Sequence, residues 1–363
     1  MFTVSEIVLY LCFSVVTGGL ILQMVPTNLK PTTFLPKKVL LWSVAGIGIL
    51  SFMPVLRIIL YFISDPKLSS YDLISSILFS FDIGQAWWVT LGLSIVLFFL
   101  IFKTIRSSVI PEMLPIKLVL VFGLIVTLGW SSHASSYYQW AGFLAHTLHF
   151  LAISVWLGIL IVIGWFSSES EKWLSFLRWF HPLAIICVLI TTCAGIVLTL
   201  YISPDYVNGW ILSYGQALLI KHLLFIPLFL FGIINGFLVK KRLQTEPGYN
   251  PIGWFRAESI FVMVIFSVTA FMGQQDPPHD VAQTLRMAEP SPLFSYLYQG
   301  TLDLNPSLYL SFNGTSFLLF GCSTLFALMM VLAFQKKMSP SVSVIMGLLF
   351  SVTGYLSLML AVQ

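Results

Sequence analysis

Apolar residues in this chain do not alternate with polar ones; they gather in long blocks, each closed by a short polar break. About 20 apolar residues is the length at which a helix crosses the ~30 Å hydrocarbon layer of a bilayer. Ten such blocks are legible, at roughly 4–25, 39–63, 84–102, 116–132, 140–166, 179–202, 212–239, 257–275, 309–335 and 341–362. A semi-apolar stretch from Tyr71 to Phe81 is too short to span and is expected along the outer interface. In hydrocarbon the backbone must satisfy its own hydrogen bonds, so each block predicts a helix. The fold class is therefore all-α, a polytopic transmembrane helix bundle of about ten spans. The breaks suggest an eight-helix membrane body over 1–275, an outer loop over 276–308 and a two-helix C-terminal membrane addition over 309–363.

Composition supports this reading. Only 9% of the residues are charged and 58% are hydrophobic, whereas a soluble domain carries about 25% charged residues. Charge also orients the spans. Fourteen of the 18 Lys and Arg fall in the five connections that follow odd-numbered spans, as with Lys30, Lys37 and Lys38, or Lys240, Lys241, Arg242 and Arg256. The opposite loops hold only Lys67 and Arg286. The positive-inside rule places the basic loops in the cytoplasm and both termini outside. The net charge of +4 thus follows topology and gives no reason to expect a nucleic-acid partner; the expected surroundings are membrane lipid. The first block, Val4 to Val25, lacks a basic flank and is read as a retained helix. No glycine-rich nucleotide loop is present, so the glycines are assigned to helix packing. The four cysteines lie inside apolar blocks, which argues against a disulfide framework.

Polar side chains inside the blocks carry the functional expectation, because a titratable group in hydrocarbon is costly unless partnered. His133 stands at the outer lip of the fourth block. His146 and His149 lie about 10 and 15 Å into the fifth, on one helix face because they are i and i+3. Lys221 and His222 lie about 14–15 Å into the seventh, and Arg57 about 9 Å into the second with Met53 one turn deeper. All fall in the outer half. A single buried imidazole is more often a hydrogen-bonded core residue than a ligand. Three or four at compatible depth favour a metal or haem, since imidazole suits copper, zinc and iron. Lys221 is a poor ligand while protonated and is better suited to pairing with a carboxylate or an anion. Met272 and Met287 could add soft ligands, as could Cys187, Cys193 and Cys322 nearer mid-depth. His279, after Asp276-Pro277-Pro278, is a recruiting ligand or simply a solvated loop residue. Tyr206, with neighbouring Tyr and Trp, reads as part of the aromatic belt. Glu258 opens the eighth block near Arg256 and could simply pair with it at the inner, cytoplasmic rim.

Taken in order, Ser131-Ser132-His133-Ala134, His146-Thr147-Leu148-His149, Val155-Trp156-Leu157-Gly158, Arg178-Trp179-Phe180, Gly195, Tyr214-Gly215 through Lys221, Arg256-Ala257-Glu258 and Asp276-Pro277-Pro278 resemble the copper resistance D (CopD) membrane proteins across roughly 115–280. Ser132 stands where that family usually has glycine, and the resemblance is expected to be to members without a fused CopC domain. The resemblance implies a multi-pass protein of the cytoplasmic membrane that takes up copper; together with the outward imidazole cluster it suggests His133, His146, His149 and His222 as metal ligands, with Lys221, Arg57 and Met53, read from their depth in the blocks, supporting them. A separate extracytoplasmic copper-binding protein would be the donor. Two alternatives remain open. One is a haem-containing oxidoreductase that reduces Cu(II), with haem b held by His146, His149 and His222; the other is a copper-binding assembly or sensor protein without transport.

Overall fold

A computed structural model describes residues 1–63, 69–106, 113–167, 171–303 and 306–363, with the backbone alone at 104–106. Lys67 and the side chain of Arg106 lie outside the described residues. The chain forms helices α1 (Phe2–Met24), α2 (Lys37–Leu50), α3 (Met53–Phe62), α4 (Ser70–Phe79), α5 (Asp82–Arg106), α6 (Leu114–Trp130), α7 (His133–Phe166) and α8 (Trp173–Ile202). Then follow α9 (Ser213–Ile233), α10 (Val239–Thr245), α11 (Ile252–Met272), α12 (Val281–Leu285), α13 (Pro292–Leu297), α14 (Gly314–Gln335) and α15 (Pro340–Met359). Among the described residues, nine stretches are long and apolar enough to cross a membrane. The remaining block is α6, whose 17 residues rise about 26 Å, close to the hydrocarbon thickness.

Two compact units divide the chain, Met1–Leu198 and Thr199–Gln363. In the first, α1 packs along α7, and α2, α5 and α6 close around them. Lipid tails are as apolar as leucine, so helices in a membrane associate through close packing rather than escape from water. The contact of α1 with α7 shows how. A Cβ on Gly18 would lie 2.1 Å from the Gly158 carbonyl carbon, so only glycine lets these backbones meet. Around that contact Phe13, Val16, Leu20, Leu124 and Phe150 are buried. The second apolar block breaks at Ser51–Phe52, just before Pro54 at the start of α3. The short α4 covers α3 through Ile77 against Val55 and Ile59.

The long α7 is two helices in one. Tyr138 and Gln139 leave helical geometry, with Gln139 at φ 47° and ψ −125°, so the spanning portion starts at Trp140. This conformation is costly for a residue with a Cβ. Before it, the Ser132 hydroxyl caps the short first segment by accepting from the Ser135 amide at 3.2 Å.

In the second unit α9, α11 and α15 pack together, and α14 pairs with α15. The loop helices α12 and α13 seal one end, where Val281 and Phe294 join Trp210, Ile211, Tyr355 and Met359 in a buried cluster. The Gln216 side chain fixes that end, donating to the Trp210 carbonyl at 2.6 Å and accepting from the Tyr355 hydroxyl. Between α9 and α10 the helix widens to a π turn over Ile234–Leu238.

Candidate metal site

The first unit holds three of the four candidate histidines. His133 is exposed at the first residue of α7, ahead of the break at Tyr138–Gln139. His146 and His149 are half-buried on successive turns beyond it. The best-defined of them is His149, whose Nδ1 lies 2.9 Å from the Thr191 carbonyl oxygen on α8. A carbonyl can only accept, so Nδ1 carries the proton, which in the neutral ring leaves the lone pair on Nε2. That is the tautomer a metal-binding imidazole requires, and a backbone carbonyl is a usual partner for its other nitrogen.

The ring reaches Thr191 because of Gly195, one turn further along α8. A Cβ there would stand 3.3 Å from Cε1 and 3.5 Å from Nδ1 of His149. A hydrogen atom in place of a side chain therefore makes the seat for the imidazole. Arg57 and Met53 are half-buried on α3 in the same unit. Cys187 is buried on α8 and Cys193 is exposed.

His222 lies in the second unit, exposed on α9 beside half-buried Lys221. Its Nδ1 is 2.7 Å from the Tyr206 hydroxyl, with the ring centroids 5.6 Å apart. Burial pushes the Tyr206 phenol up to about 12, with a smaller opposing contribution from Trp210, so the hydroxyl stays protonated at neutral pH. Two tautomers satisfy the pair, and the one in which Nδ1–H donates to Tyr206 leaves Nε2 as a ligand. Tyr206 thus does more than line an aromatic belt. Nothing in its own sequence context separates it from the other boundary tyrosines.

Among the described residues, no three His, Cys, Asp or Glu side chains come together closely enough to hold a metal. His279 lines a cavity of about 310 Å³ with Asp205 and Asp280. The two carboxylates are engaged locally, Asp280 capping α12 through the Gln283 amide at 2.9 Å and Asp205 accepting from Asn208 at 2.6 Å. Met272 closes α11, Met287 is exposed in the following loop, and Cys322 is a half-buried free thiol on α14. Glu258 corrects the expectation of a rim pair with Arg256. It is 2% exposed and accepts from the Asn235 amide at 2.6 Å, whereas Arg256 is exposed.

Residues 174–272 match the family model described as copper resistance protein D, a narrower stretch than the 115–280 suggested by the sequence motifs. A copper transport protein, CutJ, of Bacillus subtilis (strain 168) is 24% identical over 205 residues. That match takes in 54% of this chain and 37% of the relative, so the chain spans well under half of that protein's length. No solved structure shows significant similarity. The matched segment contains the Gly195 seat, His222 and the Asn235–Glu258 pair, so over those residues this all-helical, membrane-spanning chain is similar to the copper resistance protein D family.

Proposed function

We propose that this protein handles copper and, more narrowly, carries it inward across the cytoplasmic membrane. The ion would arrive from outside at His133, His146, His149 and His222, both termini lying on that side. Copper is the cargo, and Met53 offers a soft ligand suited to Cu(I). The observation that supports this best is the seating of His149, whose Nδ1–H is held by the Thr191 carbonyl. A core imidazole needs only some hydrogen-bond partner; here a glycine has also been placed to admit the ring. The His222–Tyr206 pair supports the same reading in the second unit. So does the name of the relative, a copper transport protein. A separate extracytoplasmic copper-binding protein would act as donor. Lys221 and Arg57 add positive charge near the outer end, consistent with delivery of copper by such a carrier rather than attraction of the free ion.

Copper accumulation by cells carrying His146→Ala or His149→Ala tests the proposal. Both variants should fall at least tenfold, the loss typical of disturbing a metal ligand or its support; wild-type uptake in both overturns it. An optical spectrum of the purified protein separates the haem b alternative, because a Soret band lost in His149→Ala would replace transport with cupric reduction. Bound copper without flux into proteoliposomes would point instead to an assembly or sensor role.

A further inference from the structure

The buried pair of Asn235 and Glu258 has no part in the outer histidine site. Glu258 sits in the second turn of α11 with 2% of its surface exposed, and Asn235 is 4% exposed. Among the described residues Asn235 is the one side chain that bonds Glu258, through Nδ2 at 2.6 Å. The same Nδ2 lies 3.3 Å from the Trp254 carbonyl. A carboxylate buried against a single neutral amide carries an uncompensated charge, which costs several kcal/mol in a medium of low dielectric. A neutral carboxylic acid avoids that cost.

The partner provides for that neutral form. Asn235 Oδ1 is buried and has no hydrogen-bond partner among the described residues. Nδ2 of the same amide already bonds Glu258, and a protonated Glu258 would bring an O–H donor for which Oδ1 is an open acceptor. Asn235 stands within the π turn over Ile234–Leu238. One residue more or less in a helix turns a side chain by about 100°. Single π turns of this kind recur at functional sites.

We propose that Glu258, held by Asn235, is a proton-binding site that exchanges one proton with water at the membrane side carrying Lys240, Lys241 and Arg242. Lys240 is five residues along the helix from Asn235, roughly 7.5 Å of rise, so the path to that side is short. The step balances with water alone: hydronium gives its proton to the carboxylate, leaving water and the neutral acid, and release is the reverse.

The surrounding titratable groups leave Glu258 to itself. On α9 they are Tyr214, Lys221 and His222, and on α15 Tyr355. On α14 and its end they are Cys322, Lys336 and Lys337, while Arg256 is exposed on α11 itself. None of these is bonded to Glu258, and Arg242 and Lys337 are engaged by Glu246. Coupling of this proton to copper movement would rest on the copper reading; the exchange itself does not.

Infrared spectra of the metal-free, full-length protein in lipid test the proposal apart from copper. The wild type should show the carbonyl band of a protonated carboxylic acid at neutral pH. That band should move in D2O, fade as pH rises, vanish in Glu258→Gln and shift in Asn235→Leu. A band that persists in Glu258→Gln belongs to another group and overturns the proposal. So does the absence of any such band, or a band indifferent to both pH and D2O. Because the wild-type titration needs no variant, misfolding of one cannot rescue the idea.

Discussion

Substitution at Gly195 isolates the seat of His149 without touching the imidazole. A Cβ added there meets Cε1 at 3.3 Å and Nδ1 at 3.5 Å. These distances are tight, and Gly195→Ala asks the ring to retreat by a few tenths of an ångström. The 2.9 Å bond to Thr191 would then lengthen to about 3.2 Å, still inside the hydrogen-bonding range. Alanine should therefore weaken copper binding by less than about tenfold. Gly195→Val carries two further carbons on that Cβ, each ~1.5 Å on, and the ring cannot remain over it. Nδ1 then loses its carbonyl, the tautomer is no longer set, and affinity should fall about 10–100-fold, or about 1.4–2.8 kcal/mol. Competition of the purified protein with a Cu(I) chelator measures both, alongside copper flux into proteoliposomes. The expected order is wild type, then alanine, then valine close to His149→Ala. Wild-type affinity in Gly195→Val, with the protein folded, would show that the seat has no bearing on metal and would refute the reasoning.

Three other outcomes follow from the packing. Gly158→Ala places a Cβ 2.3 Å from the Ser14 carbonyl oxygen, so α1 and α7 must separate; a loss of about 1–3 kcal/mol is expected in thermal unfolding in detergent, and an unchanged midpoint would mean the helices are not so closely apposed. Gln139→Gly should relieve a backbone at φ 47° and ψ −125° and stabilise the protein by about 1–2 kcal/mol; a lower unfolding midpoint contradicts the strain. Glu246 is hydrogen-bonded by Lys337 and Arg242, in that order of influence, which holds its carboxyl below the ordinary 4.5. A depressed carboxyl contributes stability above its unfolded value and loses it as pH falls through its folded one. The advantage of wild type over Glu246→Gln should thus be full near neutrality and shrink below about pH 4.5; a gap that widens on acidification would reverse the assignment.

The spanning blocks and the helices agree closely: the block at 39–63 became the stretch Lys37–Phe62, and that at 140–166 begins where Gln139 breaks α7. Agreement of this kind is expected because hydrocarbon thickness and the need for internal backbone hydrogen bonds act on contiguous residues. The polar candidates were legible for the same reason, since a histidine or a glutamate inside an apolar block stands out by its cost. Their partners were not. The seat of His149 is a main-chain carbonyl and a missing Cβ on another helix, and neither leaves a mark in the sequence beyond one glycine among many. Tyr206 shares its composition with every interfacial tyrosine. Arg256 and Glu258 stand two positions apart in the chain, which suggests a pair, but on a helix that spacing turns the side chains about 160–200° apart. Asn235, in the π turn that follows α9, instead donates to Glu258 from another helix. What the chain determined alone was which stretches are long and apolar enough to span and which costly residues they carry, because both are properties of consecutive residues. Which atoms those residues meet was decided only by tertiary structure, through helix rotation and the closeness that individual glycines allow.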